Sequence, residues 1–126
     1  MDLRRAMAVA VGAVAGAGLR WTALWLAGPS AATAAVLAVN VVGAAVLGAI
    51  AGLPSARRRE PRDALVGAGF CGALTTWSTL AVQVATDLRA GDWAVGLGWL
   101  CANLVLGTIA AVAGHRLTAS PTAVAR

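Results

Sequence analysis

The side chains able to do chemistry in this chain are mostly neutral or cationic. Asn40, Asn103, Arg20 and the run Thr75-Thr76-Trp77-Ser78-Thr79 fall within long apolar stretches. The five acids (Asp2, Glu60, Asp63, Asp87 and Asp92) are read as terminal or loop residues, and the lone histidine, His115, closes the last apolar run, an interfacial or helix-capping position. Without a carboxylate or histidine inside those runs there is no general acid–base pair and no proton relay. Ser78 has no base to activate it, so an enzyme is not expected. A donor-rich, acid-free interior suits an anion, because amide and hydroxyl groups donate to it and no carboxylate repels it. Two plainer readings stand beside this one. The asparagines serve equally well as interhelical hydrogen bonds, and Arg20 as a side chain snorkelling to the nearer membrane interface.

The elements that must position these groups follow from composition. Of 126 residues, 60% are apolar and 12% charged, and the mean hydropathy is +0.79, whereas soluble domains carry about 25% charged residues. Crossing a ~30 Å hydrocarbon core takes about 20 apolar residues. Four such runs, at about 6–27, 31–53, 64–86 and 93–114, predict a single all-α membrane domain of four transmembrane helices. Arg4-Arg5 ahead of the first run resembles a signal-peptide start, but the run is too long and further spans follow, so a retained helix is expected. Gly28-Pro29-Ser30 marks a tight turn with Ser30 available as an N-cap. Residues 54–63 form a polar loop carrying Arg57, Arg58, Arg59, Glu60, Arg62 and Asp63, and 87–92 a short loop around Gly91. The arginine cluster reads as a cytoplasmic loop rather than a nucleic-acid contact. Cys71 and Cys101 make neither a disulfide framework nor a metal spacing.

Small residues recur four apart beside one polar group: Gly12, Gly16 and Arg20; Asn40, Ala44, Gly48 and Gly52; Asn103, Gly107 and Ala111. Residues four apart share a helix face, so each stripe admits a close neighbour and keeps its polar group out of lipid. The third run, rich in glycine and hydroxyl residues, makes poor continuous helix. A break near its middle would leave carbonyl oxygens for protein or an ion to satisfy; a plain kink at Gly69 or Gly72 is the alternative.

The segment Gly69-Phe70-Cys71-Gly72-Ala73-Leu74-Thr75-Thr76-Trp77-Ser78-Thr79-Leu80 resembles the G-F-C-G-G-x-T-T-F-S-T-F signature of the Fluc/CrcB fluoride channels. Gly12-x-x-x-Gly16-Ala17-x-x-Arg20, Val39-Asn40-x-x-Gly43, and Asn103 with Gly107 fall in the family's order, so the resemblance covers essentially the whole chain. It implies a fluoride-selective channel of the cell membrane, built as an antiparallel dimer. A structural Na⁺ would sit at the dimer centre on backbone carbonyls of the broken third helix, here Gly72 and Thr75. The fluoride pathway would carry over to Asn40, Trp77, Ser78, Thr79 and Asn103, with Arg20 at a vestibule or interface. A residue bulkier than Gly72 is expected to disrupt the break. The chain departs from the family pattern where the two pore-lining phenylalanines fall on Trp77 and Leu80, and where the threonine one turn before Asn40 is Val36.

Two other classes compete with a channel. A small multidrug-type exporter needs an intramembrane carboxylate for proton exchange, which this chain lacks. A non-transporting scaffold explains the small-residue stripes but not the glycine- and hydroxyl-rich third run. With four spans, Arg4, Arg5, Arg57, Arg58, Arg59, Arg62, Arg116 and Arg126 share one side. The excess predicts cytoplasmic termini and raises pairing with a different, oppositely oriented subunit as an alternative to a homodimer.

Overall fold

The computed structural model describes residues 2–54 and 60–119, and helices make up nearly all of them. Helix α1 runs Leu3–Gly52, its first turn capped by Asp2, whose side chain accepts from the Arg4 amide. A straight helix of that length would reach about 75 Å at 1.5 Å per residue, more than twice the ~30 Å hydrocarbon core. Gly28 breaks it at φ 65°, ψ 179°, a region only glycine enters at low cost. Pro29 follows, with its φ preset for a first helical turn and no amide to leave unsatisfied. The kink falls between the first two apolar runs of the sequence and divides α1 into an N-terminal and a C-terminal arm.

The third run is built differently from the expected loop and helix. Helix α2, Glu60–Asp63, occupies the end of the anticipated polar loop. It leads directly into a π-helical segment, Ala64–Cys71, and a single turn, α3, Gly72–Leu74. Thr75 and Thr76 then leave helical geometry, at φ −76°, ψ 153° and φ −145°, ψ 118°. Helix α4, Trp77–Arg89, restarts the path, and α5 covers Trp93–Thr118. The interruption thus lies on two threonines, while Gly69 and Gly72 sit within continuous helical turns. Helix α4 also extends past Thr86, so Asp87 belongs to its last turn, where Oδ1 accepts from Gln83 Nε2 at 2.9 Å. Arg57, Arg58, Arg59 and Arg126 lie outside the described residues. Three stretches, Leu3–Gly52, Glu60–Arg89 and Trp93–Thr118, are long and apolar enough to cross a membrane.

Main chain packs on main chain wherever the stripes meet. A Cβ on Gly12 or Gly16 would overlap the carbonyls of Leu65 or Phe70 in the π-helical segment. One on Gly48 would meet Ala111, and one on Gly114 would meet Ala45, locking the C-terminal arm of α1 to α5. Gly107 departs from its stripe, since nothing lies within 4 Å of its Cβ position; it borders a cavity instead. Val36, Leu80 and Val84 form a buried core packed by Leu24, Leu88, Trp99 and Leu100. The apolar side chains of α1 and α5 that remain exposed, among them Val11, Val14, Leu104 and Ile109, suit a lipid-facing surface.

Candidate functional site: a polar cavity beside an interrupted helix

The polar groups singled out from the sequence converge on Thr75 and Thr76. Asn40, on the C-terminal arm of α1, accepts the Thr76 N–H on Oδ1 at 2.8 Å and donates from Nδ2 to the Thr76 carbonyl at 3.2 Å. The same Nδ2 donates to Asn103 Oδ1 at 2.9 Å, and Asn103 Nδ2 donates to the Trp99 carbonyl at 3.0 Å. The two asparagines therefore join α1, the interruption and α5 in one network. Arg20, on the N-terminal arm, donates from Nη1 to the Thr75 carbonyl at 3.3 Å. Its guanidinium thus engages the interruption, in contrast to the snorkelling alternative.

Thr76 is the residue that spacing and composition did not single out by role. Its side chain is buried and caps α4, with Oγ1 accepting the Thr79 N–H at 3.2 Å. The available clue was a threonine immediately ahead of an apolar-periodic run, the usual N-cap position. Thr76 Oγ1 also lies 3.3 Å from Ser78 Oγ and 2.9 Å from Thr79 Oγ1. A hydroxyl has one proton, so Thr76 donates to at most one of these two neighbours. A neighbour that accepts from Thr76 keeps its own O–H for another acceptor.

A cavity of about 260 Å³ opens beside this network, lined by Asn40, Ala44, Thr75, Thr76, Trp77, Leu80, Asn103, Leu104 and Gly107. No acid is among them. Trp77 is 64% exposed in the protomer, and Ser78 and Thr79 are exposed beside it. Leu80 differs: at 1% exposure it belongs to the protomer's own core. Its isobutyl side chain packs with Val36 and Val84 while bordering the cavity.

No group of three or more His, Cys, Asp or Glu side chains among the described residues is arranged to hold a metal. The main chain offers a different donor set. In a continuous helix the Gly72 carbonyl would receive the Thr76 N–H and the Thr75 carbonyl the Thr79 N–H. Both N–H groups are diverted, the first to Asn40 Oδ1 and the second to Thr76 Oγ1. Neutral carbonyls released in this way fit a monovalent cation. A carbonyl has two lone pairs, so the Thr75 oxygen has capacity beyond Arg20.

An all-helical membrane protein whose neutral and cationic groups gather around an interrupted helix has the build of an ion-conducting protein. The chain belongs to the CrcB family: a family model described as CrcB-like protein, Camphor Resistance (CrcB), matches residues 7–115. It is 44% identical to the fluoride-specific ion channel FluC 2 of Synechococcus sp. (strain CC9605) over 93% of this chain and 83% of that one. It is 37% identical to the fluoride-specific ion channel FluC of Ralstonia nicotianae, over 78% of this chain and 81% of the relative. Against the FluC protein of Pseudomonas fluorescens (strain Pf-5) the identity is 36%, over 89% and 94%.

Proposed function

We propose that this chain is a fluoride-channel subunit that lowers cytoplasmic fluoride by passive, downhill exit. The observation that carries this reading is the acid-free cavity on an interrupted helix, with Thr76 and Trp77 in its wall and the Ser78 and Thr79 hydroxyls beside Thr76 Oγ1 just outside it. Such groups are weak individual donors, and rapid permeation needs sites that an ion can leave as readily as enter. Fluoride moves along Trp77, Ser78, Thr79 and Asn103, with Asn40 bordering the path and Arg20 at its vestibule. The indole of Trp77 offers a positive ring edge and an N–H donor. Family membership and the fluoride-specific names of the relatives support the choice of ion. The chain performs no catalysis in this reading.

The functional assembly is an antiparallel dimer of four-span subunits whose third span is interrupted. Trp77, Ser78 and Thr79 are exposed on the protomer beside the interruption, and polar groups at that depth need protein or water rather than lipid around them. An oppositely oriented second subunit of the family supplies that cover. A structural Na⁺ would be held by the Gly72 and Thr75 carbonyls, an incomplete shell in one protomer that a two-fold partner would double. Its contribution is a fixed positive charge at the subunit junction. Protein reconstituted in its functional assembly should release fluoride from liposomes much faster than chloride. Equal rates for both ions, or no flux of either, would overturn the channel reading.

A further inference from the structure

We propose that Asn40 is a positioning residue: it holds the interruption open through the Thr76 peptide and does not itself donate to the permeating ion. The inference rests on the channel reading above and assigns Asn40 its part in it. A primary amide has two N–H donors, and Asn40 Nδ2 directs its donors to the Thr76 carbonyl and Asn103 Oδ1. Its Oδ1 takes the Thr76 N–H at 2.8 Å. The side chain thus satisfies both polar groups of one residue of extended backbone, much as a neighbouring strand would.

The orientation of this amide is not free. The Thr76 N–H only donates and its carbonyl only accepts, so main chain fixes which end of Asn40 carries oxygen. Asn103 is set in turn, with Oδ1 toward Asn40 and Nδ2 toward the Trp99 carbonyl at 3.0 Å. Only one of the two Asn103 amide hydrogens is needed for that bond. Asn103 is therefore the member of the pair with a donor to spare for the cavity that both asparagines line. The diversion of the Thr76 N–H to Asn40 is also what leaves the Gly72 carbonyl without its helical partner. Asn40 accordingly acts on both the anion wall and the released carbonyl, through a single peptide.

The test measures amide exchange at Thr76 in micelles together with fluoride efflux from liposomes, using the full chain in its functional dimer. Asn40→Ala should speed exchange at Thr76 about tenfold, with amides of the Gly48–Ala111 contact unchanged, and should abolish efflux. Asn40→Asp keeps an acceptor for the Thr76 N–H and should restore its protection. Should Asn40→Ala fail to assemble, Asn103→Ala removes the second acceptor that anchors Asn40 Nδ2 and should speed Thr76 exchange roughly threefold. Lost efflux with unchanged Thr76 exchange would make Asn40 a direct donor and overturn the proposal. Faster exchange with full efflux would overturn it as well. A wild-type dimer that passes no fluoride counts against the channel reading, while the exchange comparison still decides whether Asn40 holds Thr76.

Discussion

Gly48 on α1 lies against the main chain of Ala111 on α5 so closely that a Cβ on Gly48 would overlap the Ala111 carbonyl. The obstacle is backbone, which cannot rotate away as a side chain does. Gly48→Ala must push the two helices apart, and overpacking of this kind costs ~1–3 kcal/mol. Gly107, on the same face of α5 as Ala111, has nothing within 4 Å of its Cβ position, so Gly107→Ala should stay within about 0.5 kcal/mol of wild type. Thermal unfolding in detergent separates the two: Gly48→Ala should melt clearly below wild type and Gly107→Ala beside it. The reverse order would show that the α1–α5 contact is not where the structure has it.

The contrast between these glycines marks what spacing conveys and what it leaves open. A spacing of four puts Asn40 and Gly48 on one face, and Asn103 and Ala111 on another, and the structure pairs those faces as expected. Spacing does not say how far a neighbouring helix follows the stripe, so Gly107 read as a contact residue and became a cavity residue. Composition placed a break near the middle of the third run without fixing its position, with a plain kink at Gly69 or Gly72 as the alternative. The π-helical turns absorb that stretch, and the break falls where a side chain on another helix and a capping hydroxyl capture two backbone amides. Those captures depend on partners distant in the chain, which local propensity cannot reveal. Leu80 illustrates the same limit: its position in the signature matches a pore-lining phenylalanine, and in the structure it borders the cavity while packing with Val36 and Val84 in the core.

Gly28 supplies a second prediction. Its φ of 65° with ψ near 179° belongs to a region that other residues occupy at a cost of ~1–3 kcal/mol. Gly28→Ala should destabilise by that amount although nothing lies within 4 Å of its Cβ position. Gly18→Ala is the matched control. It also has open space, lies inside a regular arm of α1, and should gain up to ~1 kcal/mol from helix propensity. Equal melting of the two variants would remove strain at Gly28 as the cause of the kink.

A third prediction concerns the released carbonyls. If Gly72 and Thr75 bind Na⁺, exchanging Na⁺ for a large organic cation should lower the thermal transition of the assembled protein. Thr75→Ser should preserve the response, since the ligand is main chain. Gly72 has ordinary helical angles (φ −62°, ψ −32°), and its Cβ position approaches only the Gly67 carbonyl, at 3.9 Å. Within the protomer glycine is therefore not required there for backbone freedom, contrary to the expectation that a bulkier residue disrupts the break, and Gly72→Ala should keep both the fold and the Na⁺ response. Arg20→Leu should instead destabilise by ~1.5–3 kcal/mol, because it removes a charged donor from the Thr75 carbonyl. A thermal transition indifferent to Na⁺ in wild-type protein would dismiss the cation site.

The final prediction concerns orientation and partner. Arg5 on α1 pairs with Glu60 on α2 at 3.4 Å, and Gly52, at the end of α1, packs on His115 and Thr118 of α5. The start and end of α1, the start of α2 and the end of α5 therefore lie at one end of the molecule. The ion pair itself, with both side chains largely exposed, contributes little stability; its value here is as a marker of position. That end carries Arg4, Arg5, Arg62 and Arg116 among the described residues, and the four-span order expected from the sequence assigns Arg57, Arg58, Arg59 and Arg126 to the same side of the membrane, whereas Arg89 closes α4. Cytoplasmic loops hold the excess of arginine, so both termini should face the cytoplasm. An antiparallel homodimer needs one polypeptide that inserts both ways, which nearly balanced flanks permit and this distribution opposes. The chain should accordingly pair with a different, oppositely oriented subunit of the same family. C-terminal reporters active only inside or only outside the cell measure this directly, and the expected result is a cytoplasmic signal alone, with fluoride efflux appearing only on co-expression with such a partner. Comparable signals from both reporters, together with efflux from this chain expressed alone, would establish the dual-topology homodimer instead.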